Sequence, residues 1–145
     1  MGLLKFNTSI AAPREKVWDV LWDKNSYSKW TAVFSEGSRI ETDYKEGSKV
    51  LFLNGTGHGM VSRIAKNAAP ESMWFEHLGE VKDGVEDTTS DRVKDWAGAM
   101  EKYLLKETNG NTELEVEVDM NDEFKEYFEK TFPKALATVK ELAEN

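Results

Sequence analysis

Cysteine is absent from this chain, and histidine occurs only twice, as His58 and His77. Without cysteine the chain can form no disulfide bond, no thiolate zinc site and no cysteine nucleophile. Two histidines outside a His-Glu-x-x-His motif are too few for a zinc site, which usually has three or four converging ligands. We therefore predict no metal ion, no cofactor and no assignable catalytic residue.

Positive charge is also in short supply. The chain has 19 Lys and Arg against 27 Asp and Glu, a formal net charge of -8 at pH 7. A surface of this sign repels nucleic acid and anionic membranes. No apolar run approaches the ~20 residues that span a bilayer, and residues 1–6 lack the basic and apolar regions of a signal peptide. We expect a cytoplasmic protein that neither binds nucleic acid nor inserts into a membrane.

The chain contains 145 residues without an internal repeat, a low-complexity tract or a linker. This length predicts one domain over residues 1–145, which buries roughly 70% of the surface of its unfolded chain. A core with room for a pocket is therefore feasible.

The last third of the chain carries the clearest pattern. Apolar residues alternate with acids over Thr112–Met120, which predicts a half-buried strand with Glu113, Glu115 and Glu117 outside. A long amphipathic helix is predicted next, over Asn121–Ala143. Its apolar face comprises Phe124, Phe128, Phe132, Ala135 and Val139. Pro133 is expected to kink this helix or to loosen one turn.

The remaining elements are shorter. A strand near residues 4–10, a helix over Pro13–Trp22 and a second short helix holding Tyr27, Trp30 and Phe34 come first. Further strands are predicted at 38–44, 49–53, 60–66, 73–81, 98–107 and 113–120, with a helical turn at 90–95. Asn109-Gly110 is the strongest hairpin signal. The order predicts an α+β fold with an antiparallel sheet of about six or seven strands.

The segment Asn54–Gly59 is rich in glycine but lacks the Gly-Lys-Ser/Thr ending of a phosphate loop. It also lies between two strands, whereas a phosphate loop precedes a helix. We interpret it as a hairpin whose glycines let two backbones pass closely.

His77 and Glu101 are the polar residues of most interest. If Glu76 faces water, the alternation of the strand turns His77 inward; if Lys102 and Lys106 face water, Glu101 turns inward too. Glu101 could then pair with His77 or with Arg63. Such a pair could serve general acid–base chemistry or be purely structural, and a histidine satisfied by a backbone carbonyl or a neighbouring acid is the more ordinary outcome.

Aromatic and methionine side chains suggest a pocket between the sheet and the last helix, because both residue types adapt well to apolar ligands. The candidate lining residues are Phe52, Met60, Phe75, His77, Met100, Glu101, Tyr103, Phe124, Phe128 and Phe132. The same residues could equally fill a solid core.

Several segments in their order resemble a known family. They are Pro13-Arg14-Glu15-Lys16-Val17-Trp18-Asp19-Val20-Leu21, Trp30, Gly47-Ser48-Lys49, Gly59-Met60-Val61-Ser62, Phe75-Glu76-His77-Leu78-Gly79, Trp96-Ala97-Gly98-Ala99-Met100-Glu101 and Thr112-Glu113-Leu114. Together they resemble the START-like superfamily, also called SRPBCC, in the branch similar to the C-terminal domain of the activator of Hsp90 ATPase. The resemblance implies a helix-grip fold, a curved antiparallel sheet wrapped around the C-terminal helix, which often encloses a cavity for lipids, sterols or polyketides.

Three functions remain open at this point. The first is non-catalytic binding of a small hydrophobic, lipid- or polyketide-like molecule in that cavity. The second, implied by the resemblance alone, is activation of an Hsp90-type chaperone through the surface. The third is a small cyclase- or hydrolase-like enzyme that uses the same pocket. We expect a monomer or a weak homodimer.

Overall fold

The structure, a computed structural model, describes residues 2–145. It comprises an eight-stranded antiparallel sheet and four helices. The strands are β1 (Gly2–Ile10), β2 (Arg39–Glu41), β3 (Lys49–Leu53), β4 (Gly59–Ala68), β5 (Ser72–Lys82), β6 (Val85–Asp87), β7 (Met100–Thr108) and β8 (Asn111–Met120). The helices are α1 (Arg14–Trp22), α2 (Lys24–Trp30), α3 (Asp91–Lys94) and α4 (Asp122–Glu144).

The sheet order is β1-β8-β7-β5-β4-β3-β2, and β6 pairs with β5 beside this path. This confirms the predicted α+β fold. The strand count exceeds the expected six or seven because β6, which was not predicted, adds a three-residue hairpin to the end of β5. In the turn before β6, Asp83 and Gly84 both have positive φ. In the turn between β7 and β8, Asn109 and Gly110 do too. Both turns have the geometry that two-residue hairpins favour.

The helix starts differ slightly from those predicted. Pro13 precedes α1 in an extended conformation rather than opening the helix. Phe34 lies in the turn after α2, not within it. The side chain of Asp23 accepts hydrogen bonds from the backbone N–H groups of Asn25 and Ser26 and so caps α2.

The main core lies between the concave face of the sheet and helices α1, α2 and α4. Alternate residues of each strand enter it, as period two requires. In β8, for example, Leu114, Val116 and Val118 are buried, and the glutamates between them are partly exposed. A smaller apolar cluster lies on the other face, around Val61 and Val81.

Helix α4 runs without interruption through Pro133, but its two halves differ in burial. Its buried residues begin at Thr131 and continue to Ala143, and Phe132 stacks on Phe6 of β1 with ring centroids 4.9 Å apart. In the preceding half, Phe128 is half-buried and Phe124 is 48% exposed. The N-terminal half of α4 therefore contributes little to the core.

Candidate functional site

Four polar side chains form a connected cluster on the concave face of the sheet. The Oγ atom of Ser62 lies 2.6 Å from Nδ1 of His77, and Nε2 of His77 lies 3.1 Å from Oε1 of Glu101. The hydroxyl of Tyr103 donates a hydrogen bond to Oε2 of Glu101. Ser62, His77 and Tyr103 are buried, and the Glu101 side chain is 18% exposed.

Strand register brings these residues together. Ser62 of β4 is the register partner of His77 of β5, and Phe75, two residues earlier, is the partner of Glu101 of β7. A register shift between Val61 and Ser62 pairs Val61 with Gly79 and Ser62 with His77, so that Leu78 is the extra residue on β5. The cluster thus lies across three neighbouring strands, over residues up to 41 positions apart in the chain.

The hydrogen bonds of the cluster have one self-consistent arrangement for a neutral imidazole. Glu101 accepts from Tyr103, so His77 donates from Nε2 to the second carboxylate oxygen, and Nδ1 then accepts from the Ser62 hydroxyl. The prediction that an acid satisfies His77 is confirmed; Arg63 instead pairs with Glu76, at 2.5 Å. Because Ser62 has no exposed surface, a substrate carbonyl cannot reach its Oγ atom in this arrangement.

Burial and negative charge perturb the tyrosines near the cluster. Burial raises the pKa of Tyr103 well above its usual value, and the charge of Glu101 and the hydrogen bond to it raise it further. Burial, followed by the charge of Glu101, likewise raises the pKa of Tyr27. Burial, aided by Asp23, raises the pKa of Tyr44 to about 12. All three phenols are therefore held neutral.

Aromatic rings surround the polar cluster. Trp22 makes edge-on contacts with Phe75 at 5.3 Å and with Tyr103 at 5.0 Å between ring centroids, and Phe52 meets Phe75 at 5.0 Å and His77 at 5.6 Å. The indole Nε1 of Trp22 is buried without a hydrogen-bond partner. The sequence assigned Trp22 only to the apolar stripe of a helix, and no sequence signal indicated its place beside Tyr103.

The structure brings together most of the ten candidate residues. Strand alternation and register place six of them on the concave face: Phe52, Met60, Phe75, His77, Glu101 and Tyr103. Phe128 is half-buried and Phe132 is buried on α4. Met100 adjoins Glu101 in β7, so its side chain lies on the opposite face of the sheet, and Phe124 is largely in solvent. The structure does not bring these last two to the cluster.

One end of the grip carries a group of half-buried apolar side chains. We call it the open end: the end of the sheet where β8 finishes and α4 begins. The half-buried apolar residues Phe34, Ile40, Phe52, Met120 and Phe128 lie there. The opposite end is closed by fully buried residues such as Leu105 and Leu114. The polar cluster lies between the two ends.

Two surface pockets lie away from these residues. One, of about 380 Å³, runs between β1 and α4 and is lined by Phe6, Pro133 and Leu136 among others. The other, of about 460 Å³, lies on the outer face of the sheet around Trp74. Neither of these two pockets is lined by any of the ten candidates.

Within residues 2–145, no three His, Asp or Glu side chains converge in a way that could hold a metal ion. No helix in the same range is long and apolar enough to cross a membrane. The glycine-rich loop is the predicted hairpin: a Cβ at Gly59 would lie 1.7 Å from the carbonyl oxygen of Phe52. The side chain of Asn54 accepts from the backbone N–H groups of Thr56 and His58 and orders the loop.

Comparisons with known proteins agree with this fold. The family model "Activator of Hsp90 ATPase homolog 1-like protein" matches residues 11–144. The solution structure of the Aha1 dimer from Colwellia psychrerythraea has 16% identity and a TM-score of 0.75, covering 99% of this chain and 97% of that one. Protein CV1439 from Chromobacterium violaceum has 17% identity and a TM-score of 0.70, covering 100% and 99%.

A third similar structure is DynU16, described as a putative protein in the dynemicin biosynthetic locus, with 12% identity and a TM-score of 0.70 over 96% of this chain and 46% of that one. No curated protein sequence gives a significant match. Because the family model covers nearly the whole chain, and the sheet and C-terminal helix form the helix grip, the chain belongs to the START-like, activator of Hsp90 ATPase homolog 1-like family.

Proposed function

We propose that this protein binds a small hydrophobic molecule, lipid- or polyketide-like, between the open end of the sheet and the N-terminal half of α4, without converting it. The supporting observation is the contrast in burial along α4. Apolar residues of its N-terminal half, such as Phe128, are only half covered, and the sheet residues at the same end, Phe52 and Met60, are half-buried too. A ligand placed there would cover apolar surface that the protein leaves partly in water.

Entry of a ligand requires the N-terminal half of α4 to move, because the side chains of the concave face nearby, such as Phe75 and Tyr103, are already buried. Few contacts oppose that movement. The buried residues of α4 begin at Thr131, and Tyr127 holds the preceding turn through one 3.3 Å hydrogen bond from its hydroxyl to the carbonyl of Phe34. Pro133 has no N–H to donate to the carbonyl of Glu129, which removes one helical hydrogen bond between the two halves. The segment 122–130 is therefore the part of the helix with least resistance to displacement.

Native mass spectrometry of the purified protein, followed by organic extraction, tests the proposal. A reproducible apolar adduct that added fatty acids or polyketide-like compounds displace is the expected result. Met60→Trp and Phe128→Trp should both weaken binding by filling the open end. Val85→Trp is the matched control, because Val85 is 68% exposed on β6, and it should leave binding unchanged.

Hydrogen exchange provides the second readout. Ligand should slow exchange of the amides at 124–136, since it would hold the N-terminal half of α4 against the sheet. A protein that takes up no compound from a broad lipid library, with identical exchange at 124–136 before and after exposure, would refute ligand binding.

A second candidate function follows from the family itself, whose description names activation of the Hsp90 ATPase. Under this hypothesis the outer surface binds the chaperone, and the acidic row Glu113, Glu115 and Glu117 is the first surface to test. Charge reversal of this row should then abolish stimulation of chaperone ATPase turnover while Met60→Trp leaves it intact. The named dimer among the similar structures makes weak self-association a further possibility to measure, by sedimentation over a concentration series.

A further inference from the structure

We propose that the ligand of the open end carries a neutral hydroxyl group, best a phenol, that donates a hydrogen bond to Glu101, and that the site rejects carboxylates of the same shape. This inference deepens the proposed function and rests on it. It would separate hydroxylated ring compounds from free fatty acids, two ligand classes that the fold alone leaves open.

Exposure identifies Glu101 as the polar group that a ligand meets. Its side chain is 18% exposed, whereas that of His77 is 6% exposed and Ser62 has no exposed surface. Phe52, whose ring touches His77, belongs to the open end. Glu101 therefore has the most accessible side chain of the four cluster members.

The carboxylate has spare acceptor capacity, and no lysine or arginine is paired with it. Each of its oxygens accepts one hydrogen bond within the cluster, from His77 and from Tyr103, and each has a second lone pair. Among residues 2–145, its ion pairs include no lysine or arginine, and the nearest candidate from the sequence, Arg63, is bound to Glu76. A ligand donor is therefore accepted, and a ligand anion meets a carboxylate of the same sign, largely shielded from water, with no lysine or arginine to offset it.

The surroundings favour a flat ring that carries the hydroxyl. The ring of Phe75 packs edge-on against Phe52 and Trp22, with centroids 5.0 Å and 5.3 Å apart, the spacing at which aromatic rings pack favourably. Trp22 also has a buried, unpaired indole N–H. A hydroxyl on such a ring can donate its proton to Glu101 while its oxygen keeps lone pairs for another donor.

Three matched probes test the inference: 2-naphthol, 2-naphthoate and naphthalene, titrated at neutral pH by calorimetry and by quenching of tryptophan fluorescence. We expect 2-naphthol to bind at least about tenfold more tightly than 2-naphthoate, a difference of about 1.4 kcal/mol. In Glu101→Gln the preference should shrink to about twofold or less, because the amide removes the charge that repels the naphthoate. Glu117→Gln on the outer face is the control and should keep the preference.

The outcomes separate the two proposals. If naphthalene and both derivatives bind with equal affinity, or naphthoate binds more tightly, the ligand class is wrong while binding at the open end stands. An unchanged preference in Glu101→Gln would also overturn the role of Glu101. If none of the three probes binds at millimolar concentration, the ligand class is overturned, and the lipid-library test given above decides the proposed function separately. The wild-type comparison alone decides the ligand class if the variant does not fold.

Discussion

Replacing His77 by alanine removes the central member of the polar cluster, and we expect a large loss of stability. The Ser62 hydroxyl, which has no exposed surface, loses its partner at 2.6 Å, which costs roughly 1–3 kcal/mol for a buried unsatisfied group. The hydrogen bond to Glu101 contributes about 1.5–3 kcal/mol if the carboxylate is charged. The imidazole ring also leaves a cavity against Phe52. The sum is about 4 kcal/mol, which lowers the unfolding midpoint by roughly 8–16 °C.

Thermal and urea unfolding followed by circular dichroism measure this loss. The chain supplies its own control in its second histidine, His58, whose side chain pairs with Asp83 at 3.0 Å, both side chains being exposed. Solvent screens that pair, so His58→Ala should change the midpoint far less. Equal midpoints for His77→Ala and His58→Ala would refute the assignment of a stabilising, fully satisfied cluster. His77→Gln, which keeps a donor and an acceptor, should recover part of the loss.

Three further outcomes are expected. Gly59→Ala should prevent the β3–β4 hairpin from closing and cost far more stability than Gly57→Ala. A methyl group at position 57 meets no atom within 4 Å and adds only the strain of a positive φ. Comparable losses in urea melts would contradict the close approach of Gly59 to the carbonyl of Phe52. In an absorbance titration, Tyr27, Tyr44 and Tyr103, whose pKa values burial raises, should stay neutral at about pH 11. The stability that they contribute is present below about pH 10 and is lost as pH rises through the raised pKa values. Ionisation of more than one of the four tyrosines at about pH 11 in the native protein would count against this. The backbone N–H groups of Ser90 and Thr89 donate hydrogen bonds to Asp87 and lower the pKa of its carboxyl group. The stability that Asp87 contributes is therefore present above its unfolded pKa and lost on acidification. The fall in unfolding free energy between about pH 5 and pH 3 should be shallower in Asp87→Asn.

The sequence predicted the secondary structure and the faces of the strands well, because both depend on local spacing. Once Lys102 and Lys106 are assigned to solvent, period two turns Glu101 and Tyr103 inward, as the structure confirms. The partner of Glu101 was left open between His77 and Arg63. That choice depends on which strands are neighbours and on their register, and neither is encoded in the spacing within one strand.

Met100 and Phe124 show where residue type misleads. Met100 was chosen because methionine suits apolar pockets, although the rule that turns Glu101 inward turns its neighbour outward. Phe124 has the correct helical spacing, but a helix buries an apolar face only where another element packs against it. The first turns of α4 extend beyond most of their neighbours, so periodicity predicted the face and could not predict its burial.

The sheet order has a consequence for synthesis of the chain. Strand β1 pairs only with β8, so that Thr8 lies opposite Leu114, and the helix that covers β1, α4, follows β8. During translation β1 therefore emerges early, with Leu4, Phe6 and Ile10 along one side, and waits for more than 100 residues before either partner exists. Throughout that interval its backbone groups and apolar side chains are unpaired and open to association with other chains. Chains that stop before β8 should accordingly be the ones that aggregate or require a chaperone.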